Sequence, residues 1–137
     1  MNSKIKKYSK IISSNASIYE KIYSYKYRGE LYLKKELFIE SIYDFTQNIN
    51  LSNKVNKTKK RKLFTRAELG KSYFYRGYAF AKVSNFKKAI EDFDKAIKKY
   101  RLYSCSIDFR LMKRLEDESK EILEKELMLL TLFPLFK

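Results

Sequence analysis

Apolar and small residues return at steps of three and four along most of the chain. Ile22, Tyr25, Gly29 and Tyr32 make one such stripe, and Leu37, Phe38, Ile42, Phe45 and Ile49 a second. Phe86, Ala89, Ile90, Phe93, Ala96 and Ile97 make a third, and Leu111, Leu115, Ile122 and Leu129 a fourth. Such steps put side chains on one face of a helix. The pattern predicts five helices, at about 18–34, 37–51, 66–83, 86–100 and 107–132, and no sheet. Start signals agree with it. Ser17-x2-Glu20 and Thr65-x2-Glu68 read as capping boxes, and Ser84 or Asn85 is placed to cap the helix after it. In the last segment, Glu116–Lys120 and Glu121–Lys125 are i,i+4 pairs in the favourable order.

Two of these helical pairs say nearly the same thing. Tyr25, Arg28, Gly29, Tyr32, Phe38, Ser41, Ile42, Asp44 and Phe45 recur 48 positions later as Tyr73, Arg76, Gly77, Phe80, Phe86, Ala89, Ile90, Asp92 and Phe93. Glycine inside a helix costs about 1 kcal/mol relative to alanine. A glycine at both equivalent places therefore predicts a neighbouring helix too close for a Cβ. The order aromatic-x2-Arg-Gly-x2-aromatic, then aromatic, small, aromatic, resembles the tetratricopeptide repeat, a helix–turn–helix unit. The likeness covers residues 17–50 and 65–101 and is strongest in the second copy.

The resemblance implies an all-α fold of stacked helical hairpins, an α-solenoid, closed by a C-terminal helix. It divides the chain into a basic arm (1–16), a first hairpin (17–51), a basic linker (52–65), a second hairpin (66–101) and a capping helix with an apolar tail (102–137). Three departures stand out. Asn53 and Arg101 lie where a terminal proline is usual, and Ser41 where alanine is usual. The spacing also exceeds the typical ~34 residues by about 14. An unrelated helical bundle is the rival architecture.

Composition narrows the possible chemistry. The chain of 137 residues is 45% hydrophobic and 16% aromatic, enough for one folded domain with a modest core. It has no histidine and one cysteine, Cys105, so imidazole-based catalysis, an internal disulfide and most transition-metal sites are not expected. Its three glycines are scattered, which excludes a glycine-rich phosphate loop. Asp92 and Asp94 are a formal acid–base candidate, but among Lys87, Lys88, Lys95 and Lys98 they read as solvated. No enzyme activity and no cofactor are expected. The first ten residues lack the ~7–15-residue apolar stretch of a secretory signal, and no segment reaches the ~20 apolar residues of a membrane span. A reducing cytoplasm is the expected compartment.

Charge is unevenly spread. Of the net +15, Lys4, Lys6, Lys7 and Lys10 supply +4. Between Asp44 and Glu68 there is no acid, and Lys54, Lys57, Lys59, Lys60, Arg61, Lys62 and Arg66 supply +7. Such density favours anionic surfaces through counterion release. The run Lys59, Lys60, Arg61 and Lys62 is a candidate nucleic-acid or anionic-surface patch, or simply a solvated loop. It lacks the interleaved aromatics of a base-stacking surface; Phe64, the nearest ring, reads as a staple on the following helix. From Glu116 to Glu126 the sign reverses, six acids against Lys120 and Lys125. That segment runs on to the apolar stretch Leu127–Phe136, which reads as a cap on the second hairpin or a contact with a second protomer.

In the tetratricopeptide family the first helices of successive repeats line a concave groove. By that resemblance the first copy presents Tyr23, Lys26, Glu30 and Leu33, and the second Lys71, Phe74, Tyr78, Ala81 and Lys82. Lysines beside aromatics suit a peptide with carboxylates and one or two apolar anchors. Chaperone-binding members clamp a terminal carboxylate with lysine and, four residues on, asparagine. Here Glu30 follows Lys26, so that clamp is not preserved. Two readings result. The first is a scaffold that binds another protein, an acidic peptide segment, in the groove. The second is a basic module that binds nucleic acid or an anionic surface through its N-terminal arm and the 51–66 linker.

Overall fold

A computed structural model describes residues 2–58, 66–100 and 106–132. Among them there are six helices and no strand: α1 (Ser3–Ser13), α2 (Ile18–Lys34), α3 (Phe38–Thr58), α4 (Arg66–Lys82), α5 (Phe86–Tyr100) and α6 (Ser106–Leu132). The expectation of five helices is corrected at the N-terminus, where the basic arm is itself a helix. Asn2 caps it by accepting from the Lys4 amide at 2.8 Å, and Ile5 is buried as α1 packs on α2. Its lysines, Lys4, Lys6, Lys7 and Lys10, lie on the exposed side. The second correction concerns the linker. Residues 52–58 continue α3, with Ser52, Val55 and Asn56 buried, so the extra length between the copies is in part added helix. Lys59, Lys60, Arg61, Lys62, Phe64, Thr65, Arg101, Cys105 and the tail beyond Leu132 lie outside the described residues.

Both hairpins turn the same way. Leu37 N–H donates to Tyr32 C=O at 2.9 Å and Glu36 N–H to Leu33 C=O at 3.0 Å; Asn85 N–H donates to Phe80 C=O at 2.8 Å and Ser84 N–H to Ala81 C=O at 3.0 Å. This is the Schellman closure of a helix C-terminus. It puts Glu36 (φ 60°) and Ser84 (φ 62°) in the left-handed region, where glycine is the residue of least strain. Asn85 then caps α5 by accepting from the Lys88 amide, and Ser17 caps α2 by accepting from Glu20.

Each helix packs chiefly on its neighbours in sequence. In addition α2 touches α4 and α4 touches α6, while among the described residues α1, α3 and α5 make no close contact with one another. The even-numbered helices thus gather on one side of the bundle and the odd-numbered ones spread on the other. Phe45 and Phe93 are fully buried, each against the glycine of its own hairpin. Ile49, Tyr73, Ala96 and Met112 form a cluster that ties α3, α4, α5 and α6 together.

The last helix departs from the expected stripe. Among the described side chains of α6, at 111–131, Met112, Glu116 and Ser119 are buried, with Leu111 and Leu115 half-buried at their flank. Ile122 is 41% exposed and Leu129 67%. Length is the reason: at ~1.5 Å per residue, α6 outruns the shorter α5 on which it lies, and its last turns have no helix beneath them. Of the Glu116 carboxylate, Oε1 accepts from Lys113 and Lys120, whereas Oε2 is buried with no hydrogen-bond partner. The expected pair Glu121–Lys125 is formed at 3.0 Å.

A candidate binding groove between the second and fourth helices

The duplicated arginine and glycine build the walls before any groove exists. In the first hairpin the Arg28 guanidinium donates from Nε and Nη2 to Asp44 at 2.8 and 2.7 Å, and from Nη1 to Ser9 Oγ on α1 at 3.0 Å. Arg76 does the same with Asp92, at 2.8 and 2.7 Å, and with Thr46 on α3 at 3.3 Å. The aromatic residues three before and four after each arginine flank it: Tyr25 and Tyr32 around Arg28, Tyr73 and Phe80 around Arg76, with centroids 5.4–5.8 Å from the guanidinium carbon. Each arginine therefore joins three consecutive helices, in a planar forked geometry that suits a carboxylate. Burial pushes the Asp44 carboxyl above its ordinary value, against the opposing pull of Arg28, and the hydrogen bonds to Asp44 push Arg28 up.

This overturns the reading of Asp92 as a solvated residue paired with Asp94. Asp92 is 2% exposed and committed to Arg76. Asp94 sits outside and meets Lys98 at 2.9 Å. The signal was in the sequence: arginine and aspartate are 16 residues apart in both copies.

Along the side where α2 meets α4, the surface is closed at one end and open at the other. At the closed end Tyr23, Lys26 and Glu68 cover a space of about 10 Å³ above Ile22, Asn48, Leu69 and Ser72, room for about one water. Burial, then the charge of Glu68, raises the Tyr23 phenol above its ordinary value. Toward the C-terminal ends of the two helices a cleft of about 440 Å³ opens between Glu30, Leu33, Lys34, Tyr75 and Tyr78. A smaller one, about 130 Å³, continues across α2 onto α1 between Lys4, Tyr8, Tyr27, Glu30, Leu31 and Lys34. Glu30 and Lys34 belong to both.

The expected groove residues are thus divided. Glu30, Leu33 and Tyr78 line the open cleft; Tyr23 and Lys26 line the closed end. Lys82 stands at the rim with its Nζ 5.4 Å from the Tyr78 ring, as Lys26 stands 5.6 Å from Tyr27. Lys71 is exposed and lines neither space, and Ala81 is half-buried. Phe74 turns away, its ring 6.0 Å from Phe93, onto the buried cluster. Sequence reasoning missed Lys34, Tyr75 and the contribution of α1. Choosing Phe74 over Tyr75 misplaced the stripe by one residue, a turn of about 100°. Tyr75 instead packs on Phe45, 5.7 Å between centroids, with its other side in the cleft.

No group of three or more metal-ligating residues occurs among the described residues. None of their helices is long and apolar enough to cross a membrane. Comparison with family models, curated proteins and solved structures returns no match to this chain.

Proposed function

We propose that this chain is a non-catalytic scaffold of tetratricopeptide type, which binds an acidic peptide segment with apolar anchors in the cleft between α2 and α4. The observation that carries the reading is the cleft itself: Leu33, Tyr75 and Tyr78 give it an apolar floor, and Lys34 in its lining, with Lys82 beside the Tyr78 ring, sets two ammonium groups against the one carboxylate of Glu30. The packing order supports it, since the first helices of the two hairpins and α6 share one side, as a superhelical stack requires. A cleft of this kind is the helical form of a peptide groove, in which a few buried aromatics supply affinity and rim charges supply steering.

The test is a competition titration with an acidic, leucine-containing peptide and a mixed-sequence RNA. Tyr78→Ala should weaken the peptide by about 2 kcal/mol, roughly 30-fold. Replacing Lys34 and Lys82 by alanine should mainly slow association and reduce its salt dependence. Neutralising Lys59, Lys60, Arg61 and Lys62 should leave the peptide unaffected. If the linker variant loses binding while the groove variants keep it, the basic nucleic-acid module replaces this reading.

A further inference from the structure

The same chain carries a surface with the chemistry its groove calls for. On α6, Leu123, Leu127 and Leu130 step by four and three and share one face, bordered by Glu124 and Glu126. Leu127 is 54% exposed and Leu130 71%, and beside them Ile122, Met128 and Leu129 are exposed as well. Runs of exposed apolar residues rimmed by charge mark interaction sites. Residues 122–131 carry net −1, with Glu124 and Glu126 flanking the leucine face and Lys125 on the opposite side of the helix. That sign is opposite to Lys34 and Lys82, which outnumber Glu30 at the cleft. Apolar anchors bordered by carboxylates are what a basic, tyrosine-floored groove accepts.

We propose that the exposed end of α6, residues 122–131, docks in the α2–α4 cleft of a second copy of this chain. Leu127 and Leu130 enter over Tyr75 and Tyr78, and Glu124 and Glu126 meet Lys34 and Lys82. This rests on the groove reading given above and names its occupant. The occupant comes from another copy for a geometric reason. α6 is continuous to Leu132 and among the described residues meets only α4 and α5, so its end cannot reach its own α2 without unwinding. Two copies that exchange ends reciprocally close on a two-fold axis.

Other self-associations fit the surface less well. Pairing of the α6 ends through the same leucines sets Glu124 and Glu126 of one copy beside those of the other. Continuation of the stack, with a second copy's α1 added to α6, meets a charged face. Ser72 and Arg76 of α4 face α3 through Asn48 and Thr46; 40 positions on, Met112 packs with Ala96 of α5 and Glu116 is buried one turn further along. That register puts Asp117 where Gly77 lets the next helix close in, and Lys113 and Lys120 where Tyr73 and Phe80 lie. α6 ends the stack on that side.

The experiment is sedimentation of the full chain over a concentration series, with two variants alone and mixed. The tail variant is Leu127→Glu with Leu130→Glu; the groove variant is Tyr78→Ala with Lys34→Glu. Lys34→Glu alone, at an exposed position, replaces the groove variant if circular dichroism shows lost helix. The intact chain should gain mass with concentration, and more weakly at high salt. Each variant alone should stay monomeric. Their equimolar mixture, which retains one intact tail and one intact groove, should associate at least 10-fold more tightly than either alone. A monomeric intact chain at every concentration overturns the proposal, as does association that survives the groove variant or a mixture that stays monomeric. Titrating the tail variant, whose groove is vacant, with the acidic leucine peptide separates the two claims. If it binds while the intact chain is monomeric, only self-recognition falls; if it does not bind, the groove reading falls with it.

Discussion

The two hairpins share a backbone plan and fill it with different chemistry. Arg28 and Asp44 in the first repeat the bond lengths of Arg76 and Asp92 in the second, and the same left-handed turn closes both. Inside, they diverge. The α3 helix buries Ser41, Asn48, Ser52 and Asn56; at the two positions equivalent to Ser41 and Asn48, α5 buries Ala89 and Ala96. The shared features therefore specify geometry, and the differing ones specify what each hairpin touches. Asn48 shows this directly: its amide donates to Ile22 C=O on α2 at 2.9 Å and accepts from Ser72 on α4 at 2.7 Å. The first hairpin is sandwiched between helices on both sides and uses polar groups to register them.

The sharpest test of the shared part is to break each ion pair in turn. Asp44 and Asp92 are buried, and their arginines only 14% and 15% exposed. Removing one partner of such a pair leaves a charge uncompensated and costs about 3–5 kcal/mol. Asp92→Ala and Asp44→Ala should each destabilise by about 3 kcal/mol, the lower end, because the guanidinium keeps some solvent and its aromatic neighbours. Replacing both partners of a pair by leucine should cost much less than either single change. Denaturant midpoints decide it. Unequal losses at 44 and 92 would show that the copies are not energetically equivalent.

Next in size are the glycines. An ideal Cβ at Gly77 lies 3.0 Å from the Phe93 ring and 3.1 Å from Asp92 Cβ; at Gly29 the closest atoms of Phe45 and Asp44 are at 3.2 Å. Leucine at either position overpacks the hairpin and should cost about 1–3 kcal/mol. Alanine separates the copies. Its helix propensity, worth about 1 kcal/mol, offsets the milder crowding at Gly29 more fully than the tighter contact at Gly77. Gly77→Ala should therefore melt below Gly29→Ala, and equal melting temperatures would contradict the closer approach in the second hairpin.

Much of this was legible beforehand. The 48-residue echo exposed both hairpins, and helical glycines with no local use correctly pointed to close helix approach. The fixed Arg-to-Asp spacing also stood in the echo, but it was not interpreted, and Asp92 was read as solvated beside Asp94. Burial of a charge depends on the partner across the hairpin, which periodicity along one helix does not record. The α1 helix was missed because four of its eleven residues are lysine and its apolar contribution is concentrated at Ile5. The groove was half legible. The family resemblance named Glu30, Leu33 and Tyr78, which line one cleft here, whereas Tyr75 depends on helix rotation against α3, which is a tertiary quantity. The apolar end of α6 was noticed as a cap or a contact between protomers, but not that it stands exposed: an apolar stripe predicts burial only as far as a neighbouring helix extends.

The smallest effects come from converting the first hairpin's interior to that of the second. Asn48→Ala removes two buried hydrogen bonds that join three helices and leaves a gap the size of an amide. Ser72 retains a bond to Glu68 C=O at 3.3 Å, and Ile22 C=O retains its place within α2, so neither group is left without a partner. The expected cost is about 1–2 kcal/mol. Ser41→Ala differs. Its hydroxyl donates to Gly29 C=O at 3.1 Å, a carbonyl in the interior of α2 with an intrahelical partner of its own. Removing a donor from an acceptor that is already satisfied, while deleting one buried hydroxyl, should change stability by less than about 1 kcal/mol. Alanine in that place in the second hairpin, at Ala89, shows that the geometry tolerates it. The two changes share neither a partner nor a bond, so the double variant should lose the sum of the single losses, within about 0.5 kcal/mol. Thermal denaturation of the two single variants and the double variant checks this. A loss at Ser41 as large as that at Asn48 would mean that the bond to Gly29 helps hold α3 against α2, and that the two interiors are less interchangeable than their common backbone suggests.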